Sequence, residues 1–489
     1  MRQKAFFQLL CLSLLISACQ SGEIQEKRLP NVIFILADDM GYGDIQALNP
    51  DAGIPTENLN QLTSQGMYFT DAHSNSAVCT PTRYGLLTGR YAFRTRLKSG
   101  VLVGYDPPLI DQNQTTLGTL FSANDYHTAC IGKWHLGLDW AKKNDSLPLY
   151  TGSQWDDPNT ENVDYGGKVG GGPSDRGFDY GYVIPSSLDI APYCYIRNGR
   201  LTKPMDGKIA GENPERGVFW RTADLQQDFE LGGTLDHLTD RAVEYIDQQG
   251  RKKDQPFFLY FPLTAPHTPW LPTDKVRGKS QAGVYGDFVV QVDQTVGAVM
   301  KKLEELGIEE ETLIIFSSDN GSHWTAEDKA KFPHRANYIY SGMKSDVWEG
   351  GHRVPFIARW PGKVKAGSSS NELVSMTDLM ATFSELLGAS TQAEDSNSIF
   401  KLLTGQAGFK EREYTVQHSV NGVFAIRKGH WKLVDSKGSG GWTYNGKGAQ
   451  FDLQLYNLEE DPGEQNNLVE KYPELVKELK EKVDEYKRL

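Results

Sequence analysis

The sequence has few cysteines, no apolar run long enough to cross a membrane and a deficit of positive charge. Only five of its 489 residues are cysteines, which is too few for a disulfide framework. The 51 basic residues are outnumbered by 63 acidic ones, and the formal net charge of −12 argues against a general nucleic-acid-binding protein. The apolar run from Ala5 to Ser17 is too short to span a bilayer comfortably. No internal repeat is visible, which excludes a repeat array.

The chain is long enough for two domains and a large core. Its 49 glycines and 23 prolines are typical of a loop-rich globular enzyme. From residue 144 to residue 214 the chain is rich in Gly, Asp, Tyr and Pro and has weak periodicity. Long loops of this kind in a compact enzyme usually form functional rims or lids.

The N-terminus has the features of an export signal. A basic start, Met1-Arg-Gln-Lys, precedes the apolar run, so residues 1–18 are predicted to be a signal peptide. The sequence Ile16-Ser-Ala-Cys19 resembles a bacterial lipobox, which implies that Cys19 becomes a lipid-modified N-terminus and that residues 19–29 form a tether. An ordinary cleaved signal with a coincidental cysteine is the alternative. We expect an exported bacterial lipoprotein that is anchored to a membrane, facing the periplasm or on the outer-membrane surface.

Polar side chains follow four near-continuous apolar runs. The runs have the composition of strands buried on both faces of a parallel sheet, and they cover residues 31–36, 126–131, 256–261 and 312–317. They are followed, in order, by Asp38-Asp39, by Lys133 and His135, by His267, and by Asp319-Asn320. A solvated turn is the alternative for the Asp-Asp pair. Because ligands bind at the carboxyl ends of strands in open α/β sheets, we predict that all four ends meet at one pocket.

Helical spacing of apolar residues between these runs predicts an α/β fold, with a large, mostly parallel sheet between layers of helices. Candidate helices cover residues 56–66, 235–249 and 286–306. After about Gly405 the pattern changes to short strands at 414–418, 422–427 and 431–434, followed by a charged helix at 473–486. We therefore predict a catalytic domain over residues 30–405 and a smaller C-terminal α+β domain over residues 406–489.

One short helix is predicted between two local signals. Pro81 favours a first turn and Gly89 favours a helix end, so residues 80–88 should be helical with Cys79 at the N-terminus. The free backbone N–H groups there favour an anion beside Cys79, and Arg83 returns to the same face one turn later. For Cys79 taken alone, a packed thiol or a thiolate nucleophile remains possible.

The residues around Cys79 carry a family resemblance. Cys79-x-Pro81-x-Arg83, with Leu86, Thr88, Gly89 and Arg90, closely resembles the signature of type I sulfatases. In that family a separate maturation enzyme oxidises the cysteine to Cα-formylglycine, and the hydrate of this aldehyde is the nucleophile. The resemblance extends from residue 31 to residue 355 and includes a G-x-K-x-x-x-x-E-G-G segment that begins at Gly342 and contains Lys344. It implies the alkaline-phosphatase-like sulfatase fold.

A cation site is predicted from the acidic strand ends. Asp38, Asp39, Asp319 and Asn320 offer only oxygen ligands, which suits a hard cation, and Ca²⁺ fits an exported protein better than Mg²⁺ does. The sulfatase resemblance implies one Ca²⁺ per chain, with the modified Cys79 as a further ligand.

The resemblance also assigns roles to the basic residues and to one carboxylate. Lys133, Lys344, Arg83 and His267 would hold the sulfate oxygens and the leaving group. Asp319 would act as the base in the attack on sulfur, and His267 or Lys344 would protonate the leaving oxygen. His135 would take the proton of the remaining hydroxyl when sulfate is expelled.

The substrate is less visible in the sequence than the chemistry. Residues 283–287 and 292–293 resemble the branch that holds arylsulfatase A and N-acetylgalactosamine-6-sulfatase. This favours exo-acting hydrolysis of sulfated galactose or N-acetylgalactosamine in glycosaminoglycans, mucin glycans or algal galactans. Candidate sugar contacts flank the catalytic motifs, with plain packing as the alternative for each: Trp270, His323, Trp324, His334 and Arg335.

Two other functions compete with this one. A phosphoester or phosphonate hydrolase of the same superfamily is the nearer rival, but many such relatives use two Zn²⁺ ions with additional histidine ligands. A catalytically dead glycan-binding homologue is the other. Dead relatives usually lose the nucleophile or a metal ligand, and every expected position is present here.

Overall fold

The computed structural model describes residues 29–156 and 158–489. The predicted signal peptide, Cys19 and the tether up to residue 28 lie outside the described residues. The strands are β1 Asn31–Ala37, β2 Met67–Phe69, β3 Ala72–His73, β4 His127–Lys133, β5 Tyr180–Ile184, β6 Ile196–Arg197, β7 Arg200–Leu201, β8 Met205–Ile209, β9 Glu212–Glu215, β10 Val218–Trp220, β11 Ala223–Gln226, β12 Phe257–Pro262, β13 Thr312–Ser318, β14 Phe356–Arg359, β15 Ser368–Ser370, β16 Val374–Ser375, β17 Thr415–His418, β18 Phe424–Lys428, β19 Trp431–Val434 and β20 Gln454–Asn457.

The helices alternate with these strands through most of the chain. They are α1 Glu57–Gln65, α2 Cys79–Thr88, α3 Leu117–Ser122, α4 Thr234–Gly250, α5 Gly283–Leu306, α6 Ala326–Lys331, α7 Glu349–His352, α8 Asp378–Leu387, α9 Phe400–Leu403 and α10 Pro473–Lys487. Short 3-10 turns lie at Tyr42–Asp44, Ala92–Arg94 and Pro173–Arg176.

A ten-stranded sheet forms the centre of the molecule, in the order β15-β2-β14-β13-β1-β12-β4-β5-β6-β7. The five strands from β13 to β5 are parallel, and antiparallel strands extend the sheet on both sides. The four predicted apolar runs are β1, β4, β12 and β13, which occupy adjacent central positions. The prediction of these strands and of an α/β fold is therefore confirmed.

Helices cover both faces of this sheet. Neighbouring residues of a strand point to opposite faces, and β12 illustrates the result. The ring of Phe257 packs edge-on against Tyr245 of α4, with ring centres 5.9 Å apart. The ring of Phe258 stacks on Phe121 of α3 at 4.1 Å and lies 6.1 Å from Phe383 of α8. The core thus consists of two apolar layers separated by the sheet.

A second, four-stranded antiparallel sheet, β17-β18-β19-β20, lies in the C-terminal part of the chain. Helix α10 packs on it through Leu479 and Val483, which are fully buried in a cluster with Tyr91 and Phe93 of the large domain. The backbone N–H of Ala77 donates to the carbonyl of His418 at 3.0 Å. The small sheet is therefore fixed against the segment that precedes α2.

The cysteines of the described residues, Cys79, Cys130 and Cys194, are free and buried. Burial raises the pKa of the Cys130 and Cys194 thiols, which keeps both protonated at neutral pH. Within residues 29–156 and 158–489, none of the helices has the length and apolar composition needed to cross a membrane.

Candidate active site

The parallel register brings the four predicted strand ends to one edge of the sheet. Ala37 of β1 pairs with Ser318 of β13, and Leu36 pairs with Pro262 of β12. Backbone hydrogen bonds continue past the strands, because the N–H of Asp38 donates to Ala265 O at 3.0 Å and the N–H of Asp319 donates to Ala37 O at 3.1 Å. The polar residues after each strand are therefore close together, as predicted.

Three buried carboxylates occupy the centre of this edge. Asp38 accepts a 2.6 Å hydrogen bond from Lys133 Nζ, and Asp39 accepts a 2.8 Å hydrogen bond from Lys344 Nζ. Burial acts to raise the pKa of Asp38 and Asp39, but Lys133 beside Asp38 and His267 beside Asp39 outweigh it, so both pKa values are lowered. Both groups are therefore ionised at neutral pH.

Asp319 is held differently from the other two carboxylates. Its Oδ2 accepts hydrogen bonds from Arg83 Nε at 3.0 Å and Nη2 at 2.7 Å, while Oδ1 accepts the Asp39 N–H at 3.2 Å. Burial and the negative charge of Asp38 raise the pKa of Asp319 to about 7, against the opposing effect of Arg83. Asp319 can therefore exchange a proton near neutral pH.

Cys79 is the first residue of α2 and is 2% exposed. The helix begins one residue before the predicted start, and Gly89 ends it in the left-handed conformation with φ of 67°, as the glycine predicted. A metal-ligand atom from each of Asp38, Asp39, Cys79 and His267 lies within 4.8 Å of those of the other three. The thiol therefore faces the acidic centre, at the N-terminal end of a ten-residue helix.

Four cationic groups surround Cys79 and the carboxylates. Arg83 and Lys133 are fully buried, and Lys344 and His267 are 7% and 6% exposed. Burial acts to lower the pKa of Lys344, but the Asp39 carboxylate outweighs it and raises the pKa, so the ammonium group stays charged. Such a cluster can hold an anionic substrate group and still keep the carboxylates ionised.

The two predicted catalytic histidines form their backbone hydrogen bonds through different nitrogens. His135 Nε2 lies 2.8 Å from Leu102 O and must donate to it, which leaves Nδ1 as a proton acceptor. In the described part of the chain this buried Nδ1 has no hydrogen-bond partner. Burial and the charges of Lys133 and Arg83 lower the pKa of His135, so the ring is neutral. His135 is therefore suited to accept a proton.

His267 is oriented for the opposite task. Its Nδ1 lies 2.6 Å from Thr268 O and donates to it, and its Nε2 lies 3.6 Å from Asp39 Oδ2. Burial acts to lower the pKa of His267, but the carboxylates of Asp39 and Asp38 outweigh it and the pKa is raised. The protonated ring can therefore donate a proton from Nε2.

The oxygen donors fit a hard divalent cation. Asp38 Oδ1 and Asn320 Oδ1 are buried without a hydrogen-bond partner among the described residues, although Arg83 lies 3.5 Å from the former. Asn320 Nδ2 donates to Asp39 Oδ1 at 2.7 Å, which turns the amide oxygen away from that carboxylate. A carboxylate oxygen and an amide oxygen with unused lone pairs, beside the carboxylate of Asp39, are the kind of ligand set that Ca²⁺ or Mg²⁺ takes.

The five predicted sugar contacts do not form one surface. Trp324 is 1% exposed, and its Nε1 donates to His334 O. His334 is also 1% exposed, and its Nε2 bonds Asp44 at 2.8 Å. Both side chains are thus internal supports, and the prediction that they contact sugar is corrected because the indole and the imidazole are enclosed by protein.

The other three predicted sugar contacts lie nearer the surface. Trp270 is 7% exposed and packs under Arg216, whose guanidinium lies 4.7 Å above the ring. Arg335 is exposed and donates to neighbouring carbonyls of its own loop. His323 is partly buried, and burial together with Arg216 lowers its pKa to about 4. His323 is therefore a neutral group at the edge of the site.

Sequence reasoning missed one acidic residue beside His267. Asp189 Oδ1 lies 3.8 Å from His267 Nδ1, and Asp189 Oδ2 accepts from Arg221 at 2.9 Å. Asp189 follows β5, a strand inside the glycine-rich region that we expected to be loop. The run Tyr180-Gly-Tyr-Val-Ile184 with polar residues after it repeats the pattern of the other strand ends and could have indicated this position.

A second cluster of buried charges lies apart from this centre. His73, Glu349 and His352 have metal-like spacing, and His73 Nδ1 lies 2.9 Å from His352 Nδ1. Cations of the protein fill the spaces between them: Arg353, Arg427 and Lys432. Glu349 Oε1 and Lys432 Nζ are 3.0 Å apart. The cluster therefore joins β3 and α7 to strands β18 and β19 of the small sheet through ion pairs.

Buried acids, cations and a helix N-terminus at the carboxyl edge of an α/β sheet define a hydrolase of anionic esters. Comparison with known families specifies which one. The family model described as Sulfatase matches residues 30–389, and the model described as N-sulphoglucosamine sulphohydrolase, C-terminal matches residues 340–488. This chain belongs to the sulfatase family and is a sulfuric ester hydrolase. Sulfatases generally use a formylglycine and a divalent metal.

Known relatives cover nearly the whole chain. An N-acetylgalactosamine-6-O-sulfatase of Bacteroides thetaiotaomicron is 32% identical over 511 aligned residues, covering 96% of this chain and 95% of the relative. Arylsulfatase G of Rattus norvegicus is 30% identical and covers 93% and 85%. A solved structure described under the metabolism of multiple glycosaminoglycans by B. thetaiotaomicron superposes with a TM-score of 0.80 at 31% identity, covering 94% of this chain and 100% of that one.

Proposed function

We propose that this chain hydrolyses sulfate esters of galactose or N-acetylgalactosamine units in glycans, acting from the chain end. The observation that carries the chemistry is the position of Cys79, at the start of α2 and against the buried carboxylates and cations. The sugar preference is supported by the 32% identity to an N-acetylgalactosamine-6-O-sulfatase. The proposal would be contradicted if the protein were a phosphoester hydrolase or an inactive glycan-binding homologue.

Cys79 is proposed to be the site of Cα-formylglycine, made by a separate maturation enzyme. When present, the hydrated aldehyde supplies the oxygen nucleophile. The preceding segment and the helix fix this position, because Thr82 Oγ1 donates to Ser76 O at 3.0 Å and Asn75 Nδ2 donates to Pro81 O at 2.9 Å. Arg83 and Lys344 are proposed to hold sulfate oxygens beside it.

One Ca²⁺ is proposed to bind between Asp38, Asp39, Asp319 and Asn320, with the modified Cys79 as a further ligand. The free oxygens of Asp38 and Asn320 support this assignment. Bound there, the ion would supply Lewis-acid polarisation of a sulfate oxygen. The purified matured protein is expected to contain about one Ca²⁺ per chain in elemental analysis. Stoichiometric Zn²⁺ without Ca²⁺ would favour the phosphoester hydrolase.

Proton transfer is proposed to be divided among four residues. Asp319 is the base for the attacking hydroxyl, and its position next to Asp39 and Arg83 in the acidic centre supports this role. His267 or Lys344 protonates the leaving oxygen from the cationic side of the pocket. His135 accepts a proton at the free Nδ1 when sulfate is expelled.

We propose that the chain is an exported lipoprotein, anchored through Cys19 and the tether, that faces the periplasm or the cell surface. Labelling with a fatty acid is expected to mark the wild type and to be absent from Cys19→Ala.

We also propose that residues 30–405 form the catalytic domain and that residues 406–489 form the C-terminal one.

The function is tested with the matured protein and defined sugars. Mass spectrometry of the peptide that contains Cys79 first establishes its conversion. Release of inorganic sulfate is then measured from galactose and N-acetylgalactosamine that carry sulfate at defined positions, next to the corresponding phosphorylated sugars. We expect turnover of a sulfated sugar and none of its phosphate counterpart. Turnover of the phosphate alone, or of neither class by fully converted protein, would contradict the proposal.

A further inference from the structure

An exposed tryptophan lies in the C-terminal loop that approaches the active site. Trp442 is in the segment between β19 and β20 and is 50% exposed. Its indole lies 5.0 Å from the ring of His323, centre to centre, at an angle of 59°. His323 follows Asn320 by three residues and is at the edge of the candidate active site.

The loop is attached to the residues that directly follow Lys344. The backbone N–H of Trp442 donates to Ser345 Oγ at 2.9 Å, and the N–H of Thr443 donates to Asp346 Oδ1 at 3.1 Å. The Thr443 hydroxyl donates to the same carboxylate. Lys344 itself bonds Asp39. The backbone of Trp442 is therefore held at a fixed position relative to the acidic centre.

Close packing of the loop backbone reinforces this attachment. A Cβ atom placed on Gly441 would lie 2.4 Å from the carbonyl oxygen of Ser345, a contact that real Cβ atoms do not make. Only glycine permits this approach. The loop after β19 thus carries Trp442 on a rigid backbone. An indole also loses little side-chain freedom when it binds a ligand.

We propose that Trp442 is a stacking face for a pyranose ring of the substrate, next to the pocket that holds the sulfate. The inference rests on the proposed function and specifies how the sugar is recognised. Lys133, Lys344 and Arg83 can bind the sulfate of any ester equally well, whereas an indole face adds contact with the C–H groups of a sugar ring. Trp442 is accordingly a specificity-determining residue contributed by the C-terminal part of the chain.

The test compares three variants of matured protein, Trp442→Ala, Trp442→Leu and Trp442→Phe, on two substrates. One substrate is the sulfated sugar that the wild type turns over, and the other is a short alkyl sulfate without a ring. For Trp442→Ala the ratio of kcat/KM on the sugar to kcat/KM on the alkyl ester should fall about tenfold, mainly through KM. Trp442→Phe should keep the ratio within about threefold, and Trp442→Leu should resemble Trp442→Ala, because leucine has apolar bulk but no aromatic face.

The outcomes distinguish this inference from the proposed function. An unchanged ratio in Trp442→Ala overturns the inference, and so does a ratio in Trp442→Leu as high as in Trp442→Phe. An equal loss on both substrates, accompanied by a lower melting temperature, would indicate a structural role and would also overturn it. If the wild type turns over the alkyl sulfate and no sulfated sugar, the proposed function fails instead.

Discussion

Acidification should weaken the contact between the small sheet and the segment before Cys79, through His418. Its imidazole is 2% exposed and is enclosed by the rings of Phe93 and Phe424, with centres 5.8 and 5.1 Å away. Burial lowers the pKa of His418 to about 4, whereas an unfolded histidine titrates near 6.5. The native state therefore binds fewer protons than the unfolded chain between these two pH values, and stability is lost as the pH falls through this window.

The magnitude follows from the difference in pKa. At pH 5 the unfolded histidine is almost fully protonated and His418 in the native state is mostly neutral, which corresponds to about 2 kcal/mol lost relative to pH 7.5. If the chain unfolds as one cooperative unit, this equals about 2 °C in melting temperature. His418→Leu removes this titratable group. From pH 7.5 to pH 5 its melting temperature should therefore fall by about 2 °C less than that of the wild type.

The assay is thermal unfolding of wild type, His418→Leu and His430→Leu at pH 7.5 and pH 5. His430 lies in the turn between β18 and β19, and its side chain is 45% exposed, so His430→Leu is the surface control whose pH-dependent loss should match that of the wild type. Only the change with pH is compared, because each substitution also has its own packing effect. Equal losses in the wild type and His418→Leu would refute the reasoning.

Three further predictions test the packing of the loop, the buried ion pairs and the contacts of the active-site arginine. Gly441→Ala should lower stability by about 1–3 kcal/mol in urea unfolding, since its Cβ would collide with a backbone oxygen. Gly232→Ala, whose Cβ would meet nothing closer than 3.8 Å, should change stability by less than about 0.5 kcal/mol. Lys432→Met leaves the buried Glu464 without its cation and removes one of the cations beside Glu349, and it should cost about 3–5 kcal/mol. The addition of Glu464→Gln should recover part of this loss, and a further loss would contradict the ion-pair argument. Arg83→Lys keeps the charge but cannot reproduce the two hydrogen bonds that Arg83 donates to Asp319, so kcat/KM for the sulfated sugar should fall about 100-fold in assays of sulfate release, and an unchanged kcat/KM would contradict the assigned role.

The central strands and the acidic centre could be predicted because their signals are local. An apolar run such as Asn31–Ala37 is a strong strand signal, and the two aspartates after it lie at the carboxyl ends of the strands, where open α/β sheets bind ligands. Pro81 and Gly89 likewise fix the limits of α2 within a few residues of Cys79. In each case the residues that determine the structure are adjacent in the sequence.

What the sequence did not reveal depends on distant contacts. Trp442 belongs to a polar, glycine-rich loop, and only the docking of that loop on Ser345 brings it to the site. Trp324 and His334 flank catalytic motifs in the sequence, yet their loop folds inward, so proximity along the chain was misleading. Asp189 was hidden in a region of weak periodicity, because a five-residue strand gives little signal there.

The central place of β1 in the sheet sets an order of events during synthesis. Its partners β12 and β13 end at Pro262 and Ser318, so the ribosome must add about 280 residues after β1 before both edges of that strand can pair. At about 5–20 residues per second this takes roughly 15–60 s. The His418 carbonyl, which holds the segment before Cys79, is synthesised later still. Through that interval the segment around Cys79 is part of an unfinished structure, whereas in the finished fold Cys79 is 2% exposed, so the proposed maturation enzyme would have to act before folding is complete.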